Sequence, residues 1–211
     1  MKNIILFLIS TVPINFLRIL LLNKIFKYQI DKSTSIGYLT IINSKDCDIK
    51  NSQISSFNYI NVSKINIKNS KINQFNIIKN FHLLEIFENC SIEKKNKFYG
   101  EKKLNKNSEL RINNNCNIGN ENFFDLSGDI ELKRNCKILN YCQFWTHGFN
   151  SERQISIGNI EIGENVRIES SVTIISNVKI VENCIIKISS VVTKSILEEN
   201  IYSSNKLIKK E

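Results

Sequence analysis

Glycine and proline are scarce in this chain of 211 residues, which holds seven of the first and one of the second. A fold built from many glycine-dependent tight turns is therefore disfavoured. Long regular helices are disfavoured as well, because the isoleucine and asparagine that crowd the sequence form them poorly. Asparagine tolerates the left-handed backbone region better than other non-glycine residues, so it is expected to stand in for glycine at corners. Only two histidines are present, His82 and His147, and none of the six cysteines forms a CxxC pair. No zinc site of standard spacing can be drawn from these residues, and no metal is expected. Carboxylates are also in deficit, 20 Asp and Glu against 29 Lys and Arg, for a formal charge of +9. That balance suits an anionic partner, but the basic residues are spread evenly and lack aromatic interleaving, so nucleic acid is not the expected one.

Hydrophobic residues make up 42% of the chain, enough to fill one sizeable core. At the amino terminus, residues 1–30 read as an apolar helical segment in two pieces. Ile4 to Ile9 is apolar, Thr11 and Pro13 give a cap and a first-turn signal, and Ile14 to Phe26 continues as a second helix carrying Arg18 and Lys24. Pro13, Asn15 and Arg18 interrupt any single membrane span, and no small-residue cleavage site follows. Two roles fit such a pair: peripheral membrane contact through residues 1–27, or packing on the domain or on a neighbouring subunit.

The dominant signal is internal repetition. Ile49-Lys-Asn-Ser-Gln-Ile-Ser-Ser-Phe-Asn-Tyr-Ile60 recurs eighteen residues later as Ile67-Lys-Asn-Ser-Lys-Ile-Asn-Gln-Phe-Asn-Ile-Ile78. At the same offset, Ile162-Gly-Glu-Asn-Val166 is echoed by Ile180-Val-Glu-Asn-Cys184. The finer period is six, seen in Ile162, Ile168, Ile174, Ile180, Ile186 and Val192. Neither a helix, with its 3.6-residue period, nor a hairpin meander gives this spacing. It predicts a coil of three sides, each one hexad, stacked in register on its neighbours. Cys116, Cys136, Cys142 and Cys184 fall on the small inward slot of the hexad, as does Cys90 relative to Ile86. These thiols are expected to be reduced core fillers, and the chain cytoplasmic.

The period breaks once conspicuously. Leu132 and Ile162 are thirty residues apart where one coil needs eighteen, so an excursion leaves the solenoid at about 145–159. It carries His147 beside Trp145 and Thr146. A loop on a rigid stacked scaffold is a usual seat of function, and an imidazole there can take a proton from a bound substrate. Asn122 and Asp125, about one coil earlier, can orient that ring or bind the substrate, with Trp145 as a further substrate contact. His82 lies where the spacing slips by one and is expected to be structural.

The run from Ile160 to Lys210 resembles the carboxy-terminal half of the hexapeptide-repeat O-acetyltransferases, above all in Ile162-Gly-Glu-Asn-Val166, Ser189-Ser-Val-Val-Thr-Lys194 and Lys206-Leu-Ile-Lys209. Pro13-Ile-Asn-Phe-Leu-Arg18 and Gln143-Phe-Trp-Thr-His-Gly148 resemble the members that modify surface polysaccharides. The resemblance implies a mainly β fold, a left-handed parallel β-helix over 31–196 with three hexads per coil, followed by a basic tail at 197–211. It further implies a homotrimer with sites between subunits, acetyl-CoA as acyl donor and His147 as catalytic base. Matching positions would bind coenzyme A through Ser170, Ile188, Thr193, Lys194, Lys206 and Lys209. The chain departs from the family at Glu169, Lys187 and Ile188, where small residues are usual, and in its shortened tail.

The function so implied is acetyl transfer to a sugar hydroxyl of a cell-surface polysaccharide or its precursor, at the inner face of the cytoplasmic membrane. An N-acetyltransferase acting on an amino sugar and a non-catalytic β-solenoid scaffold are the alternatives.

Overall fold

In a computed structural model, which describes residues 1–204 and 206–208, the chain winds as a triangular β-solenoid of about nine turns capped by two short helices. Three parallel sheets form its faces. The first face runs from Gln29–Ile30 to Val178–Ile180, the second from Ser35–Ile36 to Ile201–Ser203, and the third from Ile41–Asn43 to Val191–Val192. The register is the one the hexads require, with Ile49 over Ile67, Leu132 over Ile162 and Ile162 over Ile180. Inward aliphatic residues, among them Ile49, Ile67, Ile162 and Ile180, are wholly buried. Phe98, Phe124 and Phe144 stack inside consecutive coils with centroids 4.6 and 4.4 Å apart, close to the spacing of neighbouring strands.

The three corners differ. Between the first and second faces, Asn51, Asn69, Asn89, Asn115, Asn135, Asn165 and Asn183 all take positive φ, while no glycine does. Their amides pass hydrogen bonds from coil to coil, as in Asn115 to Asn135 (3.1 Å), Asn135 to Asn165 (2.9 Å) and Asn165 to Asn183 (2.9 Å). Between the second and third faces the interval is constant, from Ile54 to Ile60 as from Ile168 to Ile174. Inside that corner Asn58, Asn76, Asn96 and Asn122 form a second, buried ladder, in which each side-chain oxygen accepts the backbone N–H of the next coil at 2.7–2.9 Å, ending on Cys142. Between the third and first faces the chain leaves the coil repeatedly, across 100–108, 126–129 and 145–159.

All six cysteines are buried free thiols. The helices, α1 (Lys2–Ser10) and α2 (Asn15–Phe26), cover the first coil. Leu6, Ile9, Ile19 and Leu22 enter the core, and buried Arg18 donates to the carbonyls of Ile36 and Val12. Their other faces leave Ile4, Phe7, Leu8, Ile14, Phe16 and Ile25 exposed. Among the described residues no helix is long and apolar enough to cross a membrane. The solenoid extends further than the hexad count suggested: Ile201–Ser203 pairs in parallel with Ile185–Ile186, and Lys206–Ile208 folds back against it. The segment expected as a basic tail thus supplies part of the ninth coil.

Candidate active site

The site gathers where two excursions leave adjacent coils at the same corner. Residues 126–129 bulge after Phe123–Asp125, and the next coil departs after Gln143–Phe144 into a hairpin of His147–Phe149 against Ile155–Ile157. The two departures are bolted together. Thr146, fully buried, accepts the Gly128 N–H on its hydroxyl at 2.7 Å and the Gly158 N–H on its carbonyl at 2.8 Å. Glycine is required at Gly128, because a Cβ there would sit 2.5 Å from the Gly158 carbonyl oxygen.

Asp125 lies beneath this junction, with its side chain 6% exposed. One carboxylate oxygen, Oδ2, faces the Thr146 N–H (2.9 Å), the Thr146 hydroxyl (2.9 Å), the His147 N–H (3.0 Å) and His147 Nδ1 (2.7 Å). The other accepts from the Ser127 hydroxyl at 2.8 Å. Burial pushes the Asp125 carboxyl up, but hydrogen bonds from Ser127, His147 and Thr146, helped by the nearby imidazole, outweigh it and hold the group below its ordinary value. A carboxylate at 2.7 Å keeps the proton of a neutral His147 on Nδ1, leaving the Nε2 lone pair free. His147 itself is about one third exposed, so a substrate can reach it. This is the geometry of an oriented general base.

Trp145 stands beside the imidazole with ring centroids 6.4 Å apart, packs on Phe123 at 4.8 Å, and donates its indole N–H to Gln143 at 3.1 Å. Of the two roles open to Asp125 in the sequence, its placement matches that of orienting the ring. Asn122 is only 1% exposed, and its side-chain oxygen belongs to the internal ladder, where it accepts the Cys142 N–H. Sequence reasoning missed Thr146, Ser127 and the glycine pair. The available signal was the twenty-residue step from Ile112 to Leu132, two longer than a coil, which marks the 126–129 bulge.

Nothing matches this chain among protein-family models or among curated sequences. Solved structures do match. A polysialic acid O-acetyltransferase, OatWY, is 16% identical and superposes with a TM-score of 0.50, covering 87% of each chain. The two chains share a fold. The polySia-specific acetyltransferase NeuO is 14% identical over 87% of this chain and 83% of its own, with a TM-score of 0.43. A maltose O-acetyltransferase from Clostridium difficile 630 is 22% identical over 53% of this chain and 68% of its own, with a TM-score of 0.41.

The positions carried over for coenzyme A all lie on the last coils. Ser170 and Ile188 are stacked at the corner between the second and third faces, where the Ser189 N–H donates to the Ser170 carbonyl at 3.0 Å. Ile188 is 61% exposed, and its N–H donates to Glu169 at 3.0 Å, while Lys187 pairs with the other oxygen of Glu169 at 3.2 Å. The departures at Glu169, Lys187 and Ile188 are thus a single local network, with Glu169 taking up a backbone donor beside the exposed Ile188 side chain. Thr193 and Lys194 follow the strand Val191–Val192 on the surface, and Lys206 opens the returning strand Lys206–Ile208. Lys209 lies outside the described residues.

Proposed function

We propose that the chain is a sugar O-acetyltransferase that uses acetyl-CoA as acyl donor. The observation that carries this reading is the His147–Asp125 pair, held at 2.7 Å on the accessible corner of a solenoid whose fold a polysialic acid O-acetyltransferase shares. Nε2 of His147 takes the proton of the acceptor hydroxyl as its oxygen attacks the thioester carbonyl, and Asp125 stabilises the imidazolium that forms. The C–S bond then breaks, and the proton held on Nε2 passes to the departing thiolate, which restores the neutral imidazole. Ser170, Ile188, Thr193, Lys194 and Lys206 mark the donor side, where basic groups suit the phosphates of coenzyme A. The acceptor belongs to a surface polysaccharide or its precursor.

Two placements complete the reading. The hairpin bearing His147 exposes Phe149, Ile155 and Ile157, an apolar surface suited to an adjacent copy in a homotrimer. The helical cap exposes ten large apolar side chains, carries Lys2, Lys24 and Lys27, and has no acidic residue before Asp31, as peripheral contact with an anionic cytoplasmic membrane face requires.

The test is mass spectrometry of glycans incubated with acetyl-CoA and purified protein. A gain of one acetyl group on a hydroxyl, lost in His147→Ala with the fold intact, is expected. Full transfer by His147→Ala removes the histidine from the reaction, acetylation at an amine makes the chain an N-acetyltransferase, and failure to bind acetyl-CoA by calorimetry makes it a scaffold.

A further inference from the structure

A groove of about 570 Å³ lies on the third face and opens beside the site. Phe75, Lys95, Lys97, Phe123, Gln143 and Trp145 line it, and they come from four successive coils. Coils stacked at strand spacing make its length about 14 Å, several times the width of one sugar ring. One end is Trp145, whose indole is 6.4 Å from the His147 ring, so the groove leads to the base.

The lining has a definite chemistry. Phe123 and Trp145 form a continuous aromatic surface, extended on the same face by Tyr99 against Phe123 at 6.0 Å. Aromatic faces beside amide and ammonium groups suit pyranose rings, which present C–H bonds on one side and hydroxyls at the rim. Phe75, at the far end, is half exposed with φ 63°, an unfavourable backbone for a bulky residue, and stacks on Phe57 at 5.1 Å. The charge is one-sided. Glu121, the one carboxylate of the lining, is engaged by Lys95 at 3.3 Å, whereas Lys97 stands exposed on its strand and Lys79 lies over Tyr99 next to it.

We infer that this groove binds an acidic oligosaccharide of several sugars and presents its terminal or internal hydroxyl to His147. The inference rests on the transfer reading and narrows its acceptor from any sugar to a carboxylate-bearing polymer. Recognition would extend over the coils from Trp145 to Phe75, with Lys97 at the centre.

Trp145 is the only tryptophan of the chain, so its fluorescence reports on the groove without any need for turnover. The probes are sialic acid and galacturonic acid oligomers of one to six residues, with malto-oligosaccharides of equal length as neutral controls. Acidic oligomers of four or more residues are expected to bind at least tenfold more tightly than monomers, with affinity falling as salt rises. Lys97→Glu is expected to lose at least tenfold in that affinity while its circular dichroism is unchanged. Length-independent binding, equal binding of the neutral series, no response to either acidic series, or an unaffected Lys97→Glu would each overturn the inference. Acetyl transfer with none of the length dependence would remove the groove and leave the activity. Length-dependent binding without transfer would do the reverse.

Discussion

Two corners of the same triangle have opposite designs. At the corner of the first and second faces, each coil from Ile86 onward advances by the same six residues, and a run of asparagines repeats one backbone conformation and one side-chain bond up the stack. At the corner of the third and first faces the interval from one inward residue to the next is eight residues from Ile78 to Ile86, eighteen from Phe144 to Ile162 and six from Ile174 to Ile180. Both His82 and His147 are there. Because parallel stacking ties every coil to its neighbours, added length is tolerated only where the chain can leave and return without shifting the ladder. The regular corner keeps the register, and the irregular one is thereby free to carry chemistry.

The contrast is broken most severely at the irregular corner. His147→Ala is expected to lower acetyl transfer by a factor on the order of 10² to 10⁴ with little change in the urea unfolding midpoint, because the side chain is one of the few at the site open to solvent. Asp125→Asn should cost activity by a somewhat smaller factor and stability as well. Its Oδ2 position receives N–H groups from Thr146 and His147, and an amide nitrogen turned toward Nδ1 would no longer hold the required tautomer. Kinetics of both variants beside their denaturation curves separate the two effects.

At the regular corners the expected sign is reversed, with stability lost and chemistry kept. Asn96→Leu leaves the buried N–H of Asn122 without its 2.8 Å acceptor, a loss of about 1–3 kcal/mol. Asn135→Ala, on the outer ladder at φ 61°, should cost about 1–2 kcal/mol because alanine disfavours that backbone. Asn135→Gly, freed of the steric penalty, should recover much of it. Denaturant midpoints measure each, and transfer rates at saturating substrate should stay unchanged in all three.

How much of this was legible in the sequence follows from the same contrast. Hexads at Ile162, Ile168 and Ile174 specify faces, register and inward residues, because a period of six admits few other structures. The excursion bearing His147 is legible for the same reason, as a thirty-residue step in an eighteen-residue rhythm. What hexad counting could not supply is the identity of contacts between excursions. Thr146 and Asp125 are twenty-one residues apart and meet where the pairing of Phe124 with Phe144 ends, with Gly128 packed closely on Gly158 beside them. Asn122 reads as a polar residue near a histidine, although its slot in the hexad is an internal one, shared with Asn58, Asn76 and Asn96. The final coil was missed because its step shortens to sixteen residues between Ile186 and Tyr202, so the period no longer announces it.

The smallest expected effect sharpens the comparison by pH. Asp125 is held below the ordinary carboxyl value of 3.8, so its contribution to stability is complete above that value and is lost as pH falls through the lower folded one. Protonated Asp125 and the amide of Asp125→Asn are both neutral and nearly isosteric. The stability gap between wild type and Asp125→Asn should therefore be widest near neutrality and close as the carboxyl titrates in acid. Asn135→Ala introduces no titrating group, so its gap from wild type should stay level across the same range. Urea midpoints for the three proteins at neutral pH and at several points below pH 3.8 decide it: a gap for Asp125→Asn that stays open in acid would mean that shape, and not charge, is what Asp125 contributes at the junction.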